Sequence, residues 1–213
     1  MPLQNRVSPF GELFAHTARG TVMGNRGGRI HGAVQNLGPR RWASKQWICC
    51  ALAFKDRQRR VWGDSYTELF FLDEVTALAA GHRPCFECRR ADAKAFAECW
   101  AHSTGRKPAA GEMDGVLHAQ RLDGRAKRLH RMRLSSLPNG AMIARDNDAY
   151  VVIDDLLMRW TPAGYEQPLS RARNQTVLVL TPPAILDVLA GGYQPLWHSS
   201  ARSESRTAAA TDR

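Results

Sequence analysis

Cys85 and Cys88, in the stretch GHRPCFECRR (81–90), are the residues of this chain best suited to chemistry. Two thiolates at Cys-x-x-Cys spacing, on a turn that enters a helix, can grip one metal ion, and backbone N–H groups there stabilise sulfur charge. Arg83, Arg89 and Arg90 add positive charge that favours the thiolate. Three readings stay open: half of a zinc site, a redox pair, or two ordinary cysteines. The redox reading lacks the βαβ context of thioredoxin-type motifs.

A structural zinc takes four ligands, so two more are needed. Cys49 and Cys50, adjacent in KQWICCALAF (45–54), are the upstream candidates. Neighbours in a strand point to opposite faces, so only one of them can easily meet Cys85 and Cys88. Cys50 shares a face with Ile48, Leu52 and Phe54 and also reads as a small core residue. Cys49 shares the face of Trp47. His118 and His130 would complete a Cys₂His₂ set, at a separation wider than finger spacing. His82 points away from the pair if the turn is tight, and Cys99 falls on an apolar helical stripe.

The segment ALAAGHRPCFECRR (77–90), preceded by LFFLDEVT, in which a strand leads into the helix, resembles the metal-binding domain of Ada-type methylphosphotriester-DNA repair proteins. That resemblance implies a zinc ion held by an upstream Cys-x-x-x-Cys pair and a downstream Cys-x-x-Cys pair. It places Cys85 and Cys88 in the downstream positions and makes one upstream cysteine a methyl acceptor from DNA phosphate triesters. Here the upstream half departs, with adjacent Cys49 and Cys50. Cys49 is the better match to the upstream position. The chain as a whole also resembles an uncharacterised bacterial family, from which no activity carries over.

A second chemistry is phosphate contact. RLDGRAKRLHRMR (121–133) gathers Arg121, Arg125, Lys127, Arg128, Arg131 and Arg133 around one acid. Read as helix, it puts Arg121, Arg125 and Arg128 on one face, suited to a row of phosphates; a solvated helix face is the plain alternative. MGNRGGRIHG (23–32) could wrap an anion with backbone N–H groups and Arg26 or Arg29. It lacks the endings of a P-loop or a dinucleotide fingerprint.

The composition agrees with a polyanion partner. The formal charge is +10, and residues 1–133 hold 23 Lys and Arg against 12 Asp and Glu, whereas 134–213 hold 7 against 8. No run of eighteen apolar residues offers a membrane span. The N-terminus lacks a basic segment followed by an apolar one, which argues against a secretory signal. Five cysteines, two of them adjacent, do not read as a disulfide framework and point to a reducing, cytoplasmic setting.

The positioning elements read as an α+β protein of small, mostly antiparallel sheets with packed helices. Strands are expected at 20–23, 45–54 and 66–72, with Arg60–Trp62 pairing back as a hairpin, and again at 175–180. AMIAR and AYVVID flank a turn at Asp146–Asp148. Asp73 is the expected N-cap of a helix that Gly81 ends. A second helix follows Cys88, with Ala91, Ala95, Phe96, Cys99 and Trp100 as its stripe, and a third covers 113–137 with a break at Asp123–Gly124. Residues 66–88 align without gaps on 177–199, with Leu69/Leu180, Leu78/Leu189, Gly81/Gly192 and Pro84/Pro195 coinciding. This echo is either a duplicated strand–helix–turn unit or a coincidence of a common one. The chain divides into a basic module (1–133), a strand–helix module (134–200) and a disordered tail (201–213). The function expected is a zinc-binding protein that contacts DNA or another nucleic acid, with a mainly structural metal. A repair or nuclease-type enzyme using that metal is one alternative, and a structural or partner-binding protein without metal is the other.

Overall fold

The computed structural model describes residues 1–57, 60–172 and 174–203. It has the expected α+β architecture, built on two six-stranded sheets and a small hairpin. The first sheet comprises β1 (Arg6–Val7), β2 (Leu13–Phe14), β3 (Val22–Arg26), β4 (Trp47–Cys50), β5 (Leu69–Phe71) and β6 (Arg83–Pro84), in the order β2-β1-β5-β3-β4-β6. Its β1–β5 and β4–β6 pairs are parallel; the rest are antiparallel. Helix α1 (Glu74–Ala79) leads from β5 to β6. Asp73 caps it, accepting from the Thr76 amide at 2.9 Å. Gly81 stops it at φ +88°, and a Cβ there would lie 2.6 Å from Arg121 Cδ. Only glycine suits both the left-handed turn and that close approach.

Helix α2 (Arg90–Thr104) and helix α3 (Ala110–Arg121) follow. The buried stripe of α2 is Ala93, Phe96, Ala97 and Trp100, a set at i, i+3, i+4 and i+7. The expected stripe was rotated: Ala91 and Ala95 are exposed, because Phe96 and Trp100 fix which face turns inward. That face meets Met113 and Leu117 of α3 and Ile185 and Val188 of α4 (Pro183–Ala190).

The helix expected to run on to residue 137 is corrected. After Arg121 the chain forms a hairpin of β7 (Leu122–Asp123) and β8 (Ala126–Lys127), then β9 (His130–Arg133). Gly124 sits at φ +58° in the two-residue loop between β7 and β8. The Asp-Gly turn signal outweighs the helix propensity of the Arg, Lys and Leu around it. Arg121, Arg125 and Arg128 therefore share no helix face.

The second sheet is antiparallel throughout, in the order β13-β12-β11-β10-β14-β9. It adds β10 (Met142–Arg145), β11 (Asp148–Ile153), β12 (Leu156–Thr161), β13 (Gly164–Ser170) and β14 (Thr176–Val179). The hairpin across Asp146 and Asn147 forms as read, both residues taking positive φ. Arg60–Trp62 form no strand. Trp62 instead folds inward, its amide on Glu68 Oε2 at 2.8 Å and its ring stacked on His31 at 5.4 Å. Both copies of the sequence echo run strand, helix and left-handed glycine, at Gly81 and Gly192.

Leu72, Val75 and Ala79 pack with Met142, Val151, Met158 and Leu180, so α1 and the second sheet share one core. The acids that open α1 reinforce the contact. Asp73 accepts from the Tyr165 hydroxyl (2.9 Å) and the His198 amide (3.0 Å). Glu74 accepts from Arg89 (2.7 Å), the Tyr193 hydroxyl (2.8 Å) and the Leu196 amide (2.8 Å). Ser200–Ser203 form a last helical turn, α5. From 204 onward, the tail expected to be disordered lies outside the described residues.

Candidate metal centre

Register decides which upstream cysteine meets the pair. β4 runs parallel to β6 with Ile48 opposite Arg83 and Cys49 opposite Pro84. The Cys85 amide then donates to the Cys49 carbonyl at 2.9 Å, so the next residue of β4, Cys50, turns its side chain towards the start of the Cys-x-x-Cys turn. The Sγ atoms of Cys50, Cys85 and Cys88 all lie within 4.8 Å of one another. The turn closes as the Arg89 amide bonds the Cys85 carbonyl at 3.0 Å, and α2 starts at Arg90.

Backbone donors aim at sulfur. The Glu87 amide lies 3.4 Å from Cys85 Sγ, the Cys88 amide supports the same atom, and the Ala51 amide serves Cys88. Hydrogen bonds from the Cys50 and Cys88 thiols, with these amides, hold the Cys85 thiol well below its ordinary range. Cys50 is pushed up because it gives its proton to Cys85 and Cys88 and is buried. Cys85 is thus the first of the three to become a thiolate, and a divalent cation is the group that would let all three do so.

Cys49 is placed apart. It packs on the other face of the sheet with Leu69, Phe71 and Ala77 and takes a 3.4 Å contact from Arg89 Nη1. Burial, then Glu74, raises its pKa, which keeps it a protonated core thiol. Cys99 packs beside the α2 cluster with Sγ 3.5 Å from the Gly191 carbonyl. His82 is buried between the Trp47 and Phe71 rings, His118 lies against Trp42, and His130 bonds the Gln120 carbonyl. Among the described residues, no histidine or carboxylate joins the three thiols. Four positions after Cys50 stands Phe54, an apolar side chain.

Phe54 and the three thiols line a cavity of about 320 Å³ that also takes in Asn25 and Glu68. Glu68 is 2% exposed, its Oε2 held by the Trp62 amide. The sequence reading missed Glu68; its signal was an acid next to the apolar run Leu69–Leu72, just before β5.

The basic residues are dispersed. Arg26 lies in β3 and is buried, Arg29 is exposed with Nε on the His31 carbonyl (3.3 Å), and the two do not line one loop. Arg121 is buried at the end of α3 and Lys127 is half-buried. Arg125, Arg128, Arg131 and Arg133 are exposed. No helix among the described residues is long and apolar enough to cross a membrane. Comparison with protein-family models, with curated proteins and with solved structures returned no match. What the site defines is a three-cysteine cluster able to hold a metal ion, in an α+β protein.

Proposed function

We propose that this chain is a zinc protein that contacts nucleic acid, its ion held by Cys50, Cys85 and Cys88. The observation that carries the proposal is the convergence of three Sγ atoms within 4.8 Å from two separate elements. Soft thiolates favour zinc over the hard divalent cations. The Ada-type resemblance of residues 77–90 supports the same ion. An ion there ties β4 to the turn before α2 and so stabilises the fold. Three thiols would hold the ion, and among the described residues no fourth ligand joins them, so a small ligand entering the cavity would complete the set, as in an open rather than a closed zinc site. Cobalt substitution tests this: the thiolate-to-metal absorption should appear with three cysteines bound and shift when a small exogenous thiol is added. A spectrum indifferent to added ligand would mean a closed site.

Contact with nucleic acid is supported by the charge of +10 and by the exposed arginines of the 125–133 segment. Arg131 and Arg133 share the solvent face of β9, an edge strand. If they contact phosphates, the double variant Arg131→Ala/Arg133→Ala should weaken binding to all duplex sequences alike. It should also flatten the log–log salt slope by about 1.8, two contacts at roughly 0.9 each. An unchanged slope in fluorescence titrations at graded salt places the contact elsewhere.

A second reading is favoured by the cavity that opens on the thiols: a reactive thiolate. In it Cys50, the upstream position that the Ada-type resemblance makes the acceptor and that a bound cation would hold as a thiolate, attacks the methyl carbon of a phosphate triester, the S–C bond forms as the C–O bond breaks, and the phosphodiester leaves with the electron pair. The first reading expects every cysteine to stay unmodified after incubation with methylphosphotriester DNA. One added methyl on Cys50 by peptide mass spectrometry moves the protein to the second.

A further inference from the structure

On the opposite face of β3 and β4 from the thiols, a cavity of about 560 Å³ is walled by Arg26, Arg41, Arg121, Arg125 and Lys127. Arg26 and Arg121 are 2% and 1% exposed. Their guanidiniums lie 4.0 and 3.9 Å from the centre of the Trp47 ring. Each is anchored by carbonyls: Arg26 by Gly11 (2.7 Å), Arg121 by Gly81 (2.9 Å) and Lys45 (2.7 Å), and Lys127 by Ala79 (2.5 Å). The Nε atoms of both arginines are buried with no hydrogen-bond partner among the described residues.

None of these five cations has a carboxylate within 4.0 Å among the described residues. Glu12, the acid in the wall, is exposed and pairs with none of them. Elsewhere the same protein neutralises its buried arginines: Arg83 meets Asp114 through two bonds of 2.9 and 2.8 Å, and Arg89 meets Glu74 at 2.7 Å. Uncompensated buried charge is costly, and here it shows. Burial, then Arg41, lowers Arg26 to about 9; burial, then Arg26, lowers Arg121 to about 9; burial, then Arg121, lowers Lys127 to about 7. Asp114 acts on Arg121 from beyond 4.0 Å but is already bound by Arg83, so among the described residues the cluster has no counter-ion of its own.

We propose that this cavity binds a phosphate-monoester dianion, held by Arg26, Arg121 and Lys127 with Arg41 and Arg125 at the rim. Two charges and three terminal oxygens answer a cluster of three inner cations better than a single carboxylate does. The rings of Phe10, Phe14 and Trp42 in the same wall leave an apolar surface beside the phosphate for a base. A free mononucleotide and the 5′-phosphorylated end of a strand present this same group. The site is independent of the metal centre.

The test measures melting temperature and calorimetric binding of the full chain at constant ionic strength. Probes are inorganic phosphate, a nucleoside 5′-monophosphate, and matched oligonucleotides with 5′-phosphate or 5′-hydroxyl ends. Phosphate should raise the melting temperature, because a ligand that binds only the folded state stabilises it. Lys127→Met and the rim variant Arg41→Ala should each bind about tenfold or more weakly. Arg41 is exposed, so its variant should melt like wild type without phosphate, which keeps the test valid if Lys127→Met folds poorly. Tighter binding of the mononucleotide assigns a free nucleotide, and tighter binding of the 5′-phosphorylated oligonucleotide assigns a strand end. No phosphate-dependent shift, or Arg41→Ala binding as well as wild type, overturns the proposal.

Discussion

Replacing Cys50 by serine is expected to strip the bound metal, while replacing its neighbour Cys49 by serine leaves it in place. The two thiols are adjacent in β4, yet register sends only Cys50 to Cys85 and Cys88. Elemental analysis of purified wild type should find close to one zinc per chain, and Cys50→Ser, Cys85→Ser and Cys88→Ser far less. Metal binding is coupled to folding. With free zinc about 1,000-fold above its Kd, losing the ion removes about 4 kcal/mol of stability. Cys49→Ser exchanges one core atom and should cost on the order of 1 kcal/mol. The ligands must be deprotonated, so acid competes with metal, and zinc should be released as the pH is lowered. Wild type that folds fully without metal, or a Cys49→Ser protein that loses it, would refute the assignment.

A loss of stability of similar size is expected at Glu74. This side chain is wholly buried and takes Arg89, the Tyr193 hydroxyl and the Leu196 amide. Removing it leaves Arg89 with only the half-exposed carboxylate of Asp92. Breaking a buried ion pair from one side costs about 3–5 kcal/mol, so Glu74→Ala should unfold at much lower denaturant. Arg89 also touches Cys49, so Arg89→Met is not silent by itself. The double variant Glu74→Gln/Arg89→Met should nevertheless lose less than the sum of the two single losses, because no charge is left unpaired. Additive losses in urea melts would show that the pair is not coupled.

The parts of this fold that were legible in the sequence are those set by local chemistry. Asp73 caps α1, Gly81 ends it, and alternation put Cys49 and Cys50 on opposite faces of β4. What the sequence left open depended on pairing at a distance. The two-residue strands β1, β2 and β6 exist only because neighbours bond them, and β6 is the strand whose register selects Cys50 over Cys49. The break at Asp123–Gly124 was legible, but the helix-favouring Arg, Lys and Leu beyond it were read as a resumed helix where the chain forms β8 and β9. The basic residues were visible as charge, but their burial was not. Arg26 and Arg121 come from segments far apart in the chain and meet only across the ring of Trp47.

The partners of Asp73 and Glu74 impose an order on synthesis. Tyr193, Leu196 and His198 follow these acids by 119, 122 and 125 residues. A growing chain that has already made all three thiols of the cysteine cluster still holds two apolar-surrounded carboxylates whose distant donors have not left the ribosome. Closing so long a span is slow relative to local structure. The first sheet can therefore form early but settles only when Tyr193, Leu196 and His198 return to α1, and a chain stopped before Tyr193 carries a fault at the start of that helix rather than at its own cut end.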